Sequence, residues 1–251
     1  MVSIPILGIP IYPTNYTSAC DTILDWTQNG ESRCVFATSV HGVMEAQDDD
    51  GFFDILRSAD MNTPDGMPLV WMLRLKGHPH QQRVYGPTLM LHILERAAQE
   101  GVPVGFYGGA PDVLDLLVQK MQQQYPGIII AYAYSPPFRQ LSEDEDEKIV
   151  QQINEVGVRI LFVGLGCPKQ ERWIAAQRGR IPAVMVGVGA AFDFHAGLKR
   201  QAPAWMQRLG LEWLFRLTQE PKRLIGRYLK HNPRFMVLAA AELLGLRRAG
   251  G

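Results

Sequence analysis

Residues 160–174 read ILFVGLGCPKQERWI, an apolar run that passes through a glycine turn into a helical pattern. A run that is apolar at every position is typical of a strand covered on both faces, as in a parallel sheet. We therefore predict a strand over Arg159–Gly164 and a helix over Gln170–Gln177. The fold depends on whether this unit recurs along the chain.

The unit does recur, because further apolar runs alternate with amphipathic stretches. The other predicted strands are Cys34–Thr38, Pro103–Tyr107, Ile128–Tyr134 and Val184–Val188. The other predicted helices are Met67–Lys76, Thr88–Gln99, Asp112–Gln124 and Glu143–Glu155, the last with Ser142 as its N-cap. Repeated strand and helix units predict an α/β fold with a doubly wound, mostly parallel Rossmann-like sheet, whose ligands bind beyond the carboxyl ends of the strands.

Charge divides the chain of 251 residues into two parts. Its 25 Lys and Arg balance its 25 Asp and Glu, yet from Lys199 onward eleven basic residues, Arg247 and Arg248 among them, face three acidic ones. We predict an α/β catalytic domain over residues 1–198 and a basic, amphipathic helical appendage over residues 199–251. Such asymmetry often marks contact with a polyanion or a membrane surface.

The predicted appendage is rich in aromatic and apolar residues. Trp205, Leu209, Trp213 and Leu217 recur every four residues, and we expect this stripe to pack in the core. The run Phe235–Leu246 is too short to span a bilayer, which takes about 20 residues, but it suits a membrane surface.

Composition excludes several classes of protein. With 47% hydrophobic and 20% charged residues, the chain is neither disordered nor collagen-like. Its three cysteines show no CxxC spacing, so they predict neither a disulfide framework nor a zinc site, and they favour a reducing compartment. The N-terminal residues do not resemble a secretory signal, and we expect a cytoplasmic protein.

Three glycine turns follow predicted strands and hold candidate ligand-binding residues. They contain Gly108 and Gly109, Gly164 and Gly166, and Gly187 and Gly189. Their N–H groups could bind an anion at a helix N-terminus, although tight turns without a ligand have the same composition. None completes G-x-G-x-x-G, which disfavours a nicotinamide-dependent dehydrogenase. Lys169 and Gln170, which start the helix after the second turn, would meet a ligand bound there.

Asp65 is the candidate catalytic carboxylate. It lies between Pro64 and Gly66 at a predicted helix start, where it could act as a general base or simply cap the helix. In the appendage, Arg216, Arg223 and Arg227 could clamp a diphosphate. No metal site is predicted, because the run Asp48–Asp50 fits a solvated turn better than a cation site.

Five strings carry a family resemblance: TPDGMPLVWMLRLKG (63–77), RVYGPTLM (83–90), ILFVGLGCPKQERWI (160–174), VGVGAAFDFHAG (186–197) and APAWMQRLGLEWLFRLTQEPKR (202–223). Together, and in this order, they resemble the WecG/TagA/CpsF glycosyltransferases. The resemblance implies an inverting enzyme that moves a sugar from a UDP-sugar to an undecaprenyl-diphosphate-linked sugar during cell-surface polysaccharide assembly. It implies no cofactor and no required metal. The donor sugar stays open among N-acetylmannosamine, its uronic acid, glucose and similar sugars.

The resemblance also implies roles for single residues. Asp65 matches the proposed general base, and Arg83 is expected near the donor phosphates or the acceptor. Gln170 matches the glutamine of the P-K-Q-E motif, Thr38 matches a threonine at the end of the first core strand, and Arg216, Arg223 and Arg227 match arginines that close over the UDP diphosphate. Many members carry T-x-N at that strand end, whereas here His41 or Ser39 would take the polar role of the asparagine.

The implied partners are the UDP-sugar, the lipid-linked acceptor and the cytoplasmic face of the plasma membrane, to which the protein would bind peripherally. We expect no nucleic-acid partner and consider a homo-oligomer possible. The alternative is a non-catalytic regulatory protein that binds a nucleotide or sugar nucleotide, which would give Asp65 no role.

Overall fold

The computed structural model describes residues 2–246, which form two compact units. We call residues 16–37 and 86–199 the sheet unit, and the described parts of residues 1–15, 38–85 and 200–251 the terminal unit. Arg247 and Arg248, counted above in the basic segment, lie outside the described residues. The boundary at residue 198 stays a prediction.

Strands and helices alternate over much of the chain. The strands are β1 (Ile4–Ile6), β2 (Ile9–Ile11), β3 (Arg33–Thr38), β4 (Met61–Pro64), β5 (Val104–Gly108), β6 (Ile130–Tyr134), β7 (Ile160–Gly164) and β8 (Val184–Gly187). The helices are α1 (Tyr16–Gln28), α2 (Val40–Ala46), α3 (Asp50–Arg57), α4 (Met67–Leu75), α5 (Gly86–Glu100), α6 (Pro111–Gln124), α7 (Glu143–Glu155), α8 (Lys169–Ala176), α9 (Ala191–His195), α10 (Ala204–Arg208), α11 (Glu212–Gln219) and α12 (Pro221–Leu243).

The sheet unit contains parallel strands in the order β3, β8, β7, β5, β6, flanked by helices. The register pairs Gly108 with Gly164 and Val163 with Gly187, so the carboxyl ends of β5, β7 and β8 are level. Phe106 and Phe162 are fully buried and stack at 5.8 Å between ring centroids. The predicted α/β, Rossmann-like fold is confirmed, and the predicted strand ends differ from the observed ones by one or two residues.

Helix α7 begins where its acidic run predicts. The hydroxyl of Ser142 accepts a hydrogen bond from the N–H of Glu145 at 3.2 Å, and the Glu145 carboxylate accepts one from the N–H of Ser142 at 2.9 Å. This reciprocal capping box satisfies two N–H groups that the helix itself cannot pair. The predicted N-cap is confirmed.

The terminal unit contains strands that the sequence analysis did not predict. β1 and β2 form an antiparallel hairpin that pairs Ile4 with Ile11, and the buried strand β4 ends directly before Asp65. Strands of three or four residues are too short to show a periodicity, which explains why the pattern missed them.

The C-terminal helices correct one prediction. Trp205, Leu209 and Trp213 are 54%, 61% and 40% exposed, so the expected packing of their stripe in the core is wrong. The prediction from a spacing of four residues assumed one continuous helix. In the structure, Gly210, at φ +72°, separates α10 from α11. No helix in residues 2–246 has both the length and the apolar character that crossing a membrane requires.

Candidate active site

Asp65 leaves strand β4 in a loop fixed by its own backbone. Its N–H donates to the carbonyl oxygens of Thr38 and Thr63, each at 3.0 Å. Gly66 is the N-cap of α4, and no side-chain hydrogen bond caps that helix. The Asp65 carboxylate instead accepts a hydrogen bond from Arg83, with 2.8 Å between Oδ1 and Nη2. Asp65 is therefore held by a charge partner and does not serve as the helix cap.

Arg83 joins two carboxylates that are far apart in sequence. Its Nη1 donates to Oε2 of Glu212 at 2.6 Å, and its Nε donates to the backbone carbonyl of Asp65. The side chains of Asp65, Arg83 and Glu212 are 16%, 15% and 12% exposed. Burial alone would lower the pKa of Arg83, but the charges of Asp65 and Glu212 outweigh it and raise the pKa above its ordinary value. The guanidinium stays charged and fixes the orientation of the Asp65 carboxylate.

Tyr85 lies beneath this ion-pair network. The Arg83 guanidinium stands over its ring, 4.0 Å from the centroid. Burial raises the pKa of Tyr85, and the negative charges of Glu212 and Asp65 raise it further, so the phenol stays protonated. Tyr85 therefore adds a cation–π contact and no charge.

Glu212 is a member of the network that sequence reasoning missed. It is the first residue of α11, directly after the turn at Gly210. A Cβ at Gly210 would lie 3.1 Å from Cβ of Met67 and 3.3 Å from the Trp71 ring, so a glycine lets this turn pack closely on α4. The signal available in the sequence was a single acid among the apolar and basic residues of 205–217.

Thr38 is held by a second residue that the sequence analysis missed, Asn62. The Thr38 hydroxyl donates to Oδ1 of Asn62 at 3.0 Å. The Asn62 amide donates to the carbonyl oxygens of Pro10 and Leu56, at 3.0 and 2.7 Å. Since Thr38 also accepts the Asp65 N–H, Asn62 fixes the strand end against which the Asp65 loop rests.

Three arginines of the appendage act electrostatically on Tyr228, and their joint role toward a diphosphate stays a prediction. Burial raises the pKa of Tyr228, and the charges of Arg216, Arg227 and Arg223 act in the opposite direction. Arg223 also pairs with Glu220. Such a concentration of guanidinium groups suits an anion with several oxygens, such as a diphosphate.

His41 lies on α2 beside Glu45 and His231. Its Nδ1 is 3.6 Å from Oε1 of Glu45, and His231 Nε2 is 3.1 Å from the same oxygen. In residues 2–246, these three side chains are the group whose ligand atoms could hold a metal ion. Ser39 is the N-cap of α2. The roles of His41 and Ser39 toward a substrate stay predictions.

The acidic run Asp48–Asp50 is exposed and begins in a turn, in agreement with the expected solvated turn, and it also makes specific contacts. Asp48 pairs with Lys230 at 2.9 Å and with Arg234, and Asp49 caps α3 by accepting the N–H of Phe52 at 2.7 Å. Hydrogen bonds from Lys230 and Arg234 lower the pKa of Asp48 to about 2. The run therefore starts a helix and pairs with α12.

In the sheet unit, the predicted glycines lie at level strand ends. Gly108, Gly164 and Gly187 end β5, β7 and β8, and Gly109, Gly166 and Gly189 follow in the turns. A Cβ at Gly108 would lie 2.7 Å from the carbonyl of Gly164, and the N–H of Gly109 donates to that carbonyl oxygen at 3.2 Å. The backbones of these two turns thus meet where a side chain would not fit.

Gln170 bridges two of these turns. Its Oε1 accepts hydrogen bonds from the N–H groups of Gly189 and Gly166, at 2.9 and 3.3 Å, and its Nε2 donates to Glu171 at 2.9 Å. Gln170 is 3% exposed, whereas the neighbouring Lys169 is exposed. Burial raises the pKa of Glu171. The Gln170 amide here holds backbone in place, and its role toward a substrate stays a prediction.

The chain resembles known proteins over nearly its whole length. The sequence model of the family described as "Glycosyl transferase WecG/TagA/CpsF family" matches residues 4–249. A Bacillus subtilis (strain 168) protein named N-acetylglucosaminyldiphosphoundecaprenol N-acetyl-beta-D-mannosaminyltransferase is 33% identical over 218 residues, 86% of this chain and 83% of that protein. A Bacillus spizizenii (strain ATCC 23059 / NRRL B-14472 / W23) protein of the same name is 35% identical over 180 residues, 71% of this chain and 68% of that protein. The chain therefore belongs to the WecG/TagA/CpsF family of glycosyl transferases.

Proposed function

We propose that this glycosyl transferase moves N-acetylmannosamine, with inversion, from a UDP-sugar to N-acetylglucosamine carried on undecaprenyl diphosphate. The observation that supports it most is the Asp65 carboxylate held in one orientation by Arg83, in the motif that resembles the catalytic motif of the family. The names of the two Bacillus relatives supply the transferred sugar and the acceptor.

The proposed reaction is a single displacement at C1 of the donor sugar. A sugar hydroxyl is a weak nucleophile, so Asp65 takes its proton while the new bond from the acceptor oxygen to C1 forms. The bond from C1 to the phosphate oxygen breaks, and UDP leaves with the electron pair. Inversion follows because the hydroxyl attacks the face of C1 opposite the leaving group.

Arg216, Arg223 and Arg227 are proposed to stabilise the departing diphosphate. Negative charge grows on its oxygens as the bond to C1 breaks, and guanidinium groups already in place lower the energy of that state. Their shared effect on the pKa of Tyr228 supports this role, because all three charges act on the same phenol.

The proposed site of action is the cytoplasmic face of the membrane, bound peripherally. The large apolar side chains exposed on and beside the C-terminal helices are Trp205, Leu209, Trp213, Leu214, Ile225, Leu229, Met236, Val237, Leu243, Leu244 and Leu246. Apolar groups beside basic residues favour insertion at the surface of an anionic membrane. A lipid-linked acceptor would be met there.

The substrate proposal is tested by incubating the full chain with a panel of UDP-sugars and a short-chain polyprenyl diphosphate that carries N-acetylglucosamine. We expect acceptor-dependent release of UDP with UDP-N-acetylmannosamine. Release with a different UDP-sugar would contradict the proposed donor. Binding of a UDP-sugar without release on any acceptor would contradict transferase activity and favour the regulatory alternative.

The membrane proposal is tested by sedimentation with anionic vesicles. Leu229→Glu and Val237→Glu each place a charge on an exposed apolar side chain of α12, and we expect less protein in the vesicle pellet. Phe138→Glu is the matched control, because Phe138 is 92% exposed but lies in the sheet unit. Equal loss in all three variants would contradict a specific role for α12.

A further inference from the structure

Two helices of the terminal unit bring together side chains that commonly bind metal ions. His41 and Glu45 are four residues apart and lie on the same face of α2, and His231 faces them from α12. Their ligand atoms, two imidazole nitrogens and a carboxylate oxygen, all lie within 4.8 Å of one another.

The distances fit a tetrahedral cation. Zinc binds imidazole nitrogen and carboxylate oxygen at about 2.0–2.2 Å, so two ligand atoms on one ion lie about 3.4 Å apart. The Glu45 oxygen is 3.1 Å from His231 Nε2 and 3.6 Å from His41 Nδ1. The two imidazole rings lie 5.2 Å apart between centroids and are tilted by 57°, and one nitrogen of each lies within 4.8 Å of the other.

The surroundings support a bound cation. The His231 side chain is 4% exposed, so an ion bound at its Nε2 would be largely shielded from water on that side. Lys230 and Arg234, the cations on either side of His231 in α12, both pair with Asp48. Their charges are therefore already neutralised in part.

We propose that His41, Glu45 and His231 bind one divalent cation of the zinc class, with water as the fourth ligand. Two imidazoles and one carboxylate with an open fourth position are a ligand set that zinc uses. The ion would join residues 41 and 45 to residue 231, and so fasten α12 to α2. This inference goes beyond the proposed sugar transfer and does not depend on it. His41 would then be a metal ligand and would not replace the family asparagine.

The test uses full-length protein without a histidine tag, stripped with EDTA and titrated with Zn²⁺ by calorimetry. We expect one ion per chain. Glu45→Gln and His231→Gln should each weaken binding at least about tenfold, because each removes a ligand. His80→Gln is the control, since His80 is exposed and lies outside the cluster. Zn²⁺ should also raise the Tm of the native chain and leave that of Glu45→Gln nearly unchanged.

Cobalt substitution distinguishes binding of the ion at this tetrahedral site from nonspecific binding at the protein surface. Co²⁺ in a tetrahedral site shows intense visible absorption, and we expect this absorption in the native chain and its loss in Glu45→Gln. Binding below half an ion per chain, a weak octahedral spectrum, or equal affinity in native chain and Glu45→Gln would each overturn the proposal. If His231→Gln fails to fold, Glu45→Gln still decides, because Glu45 is only partly buried.

Discussion

The sheet unit and the terminal unit hold their functional polar groups by different means. In the sheet unit, Gln170 is neutral and accepts hydrogen bonds from backbone N–H groups of two glycine turns. In the terminal unit, Asp65 and Glu212 are fixed by the charge of Arg83. Neutral hydrogen bonds to backbone set the shape of a loop, whereas an ion pair keeps a reactive carboxylate charged and oriented. We therefore expect changes to the Asp65, Arg83 and Glu212 network to lower activity, with or without a loss of stability, and the loss of Gln170 to lower stability.

The largest effect should come from Asp65→Asn. An amide cannot accept the proton of the acceptor hydroxyl, so we expect turnover to fall about a thousandfold, while UDP binding stays within about twofold. Steady-state UDP release and calorimetric titration with UDP measure the two quantities. Asp54→Asn, at an exposed position on α3, is the control and should be fully active. Near-normal turnover by Asp65→Asn would remove the base from the mechanism.

Arg83→Met should affect both activity and folding. It leaves Asp65 and Glu212 without their shared cation in a mostly buried site, which we expect to lower the free energy of unfolding by about 2–4 kcal/mol. Glu212→Gln should cost less, because Arg83 still pairs with Asp65. Urea denaturation of both variants measures the difference. Equal losses in the two variants would mean that the ion pair between Arg83 and Asp65 adds no stability once Glu212 is neutral.

Gln170→Leu tests the neutral side of the comparison. Leucine fills a similar volume but leaves the N–H groups of Gly166 and Gly189 without their acceptor, at a cost of about 1–3 kcal/mol in stability. Gln151→Leu, on the exposed face of α7, is the control and should unfold like the native chain. A Gln170→Leu variant that is stable but inactive would show that the amide acts on substrate. The proposed difference between the two units, structural hydrogen bonds in one and a reactive carboxylate in the other, would then be wrong.

Glu171 gives the sheet unit a pH dependence. Because burial raises the pKa of Glu171, the folded chain holds a proton that the unfolded chain releases. Stability therefore falls as pH rises from about 4, the pKa of an unfolded glutamate, toward the raised folded value. Glu171→Gln cannot ionise and should show a flatter profile of unfolding free energy against pH. The exposed Glu155→Gln should keep the native profile, and an unchanged slope in Glu171→Gln would count against a raised pKa.

The smallest effect should come from Ser142→Ala. Loss of the cap should lower the free energy of unfolding by about 1 kcal/mol without altering turnover. Ser142→Asn keeps an acceptor and should stay near the native stability. Denaturant unfolding checks both variants, and an unchanged Ser142→Ala would mean that the start of α7 is held by other contacts.

Local signals explain what could be predicted from the sequence. Continuous apolar runs predict the strands of the sheet unit. Ser142 followed by acidic residues predicts that α7 begins at Glu143. These signals depend on neighbours in sequence, so no knowledge of the tertiary structure is needed.

Distant contacts explain what could not be predicted. Asp65 and Arg83 were both singled out through the family resemblance, but their mutual ion pair and the contribution of Glu212 span 18 and 129 positions along the chain. Periodicity carries no information on such pairs. The predicted core packing of Trp205, Leu209 and Trp213 is wrong for a related reason, because the turn at Gly210 lies between Leu209 and Trp213.

The separation of Arg83 from Glu212 has a consequence during synthesis on the ribosome. At about 5–20 residues per second, roughly 6–26 seconds pass between the addition of these two residues. By the end of that interval the whole of the sheet unit has been translated, whereas translation of the third segment of the terminal unit, which begins at Arg200, has only started. The ion-pair network thus cannot form before residue 212 has been added, and any polypeptide that stops earlier carries Asp65 without the full set of charges around it.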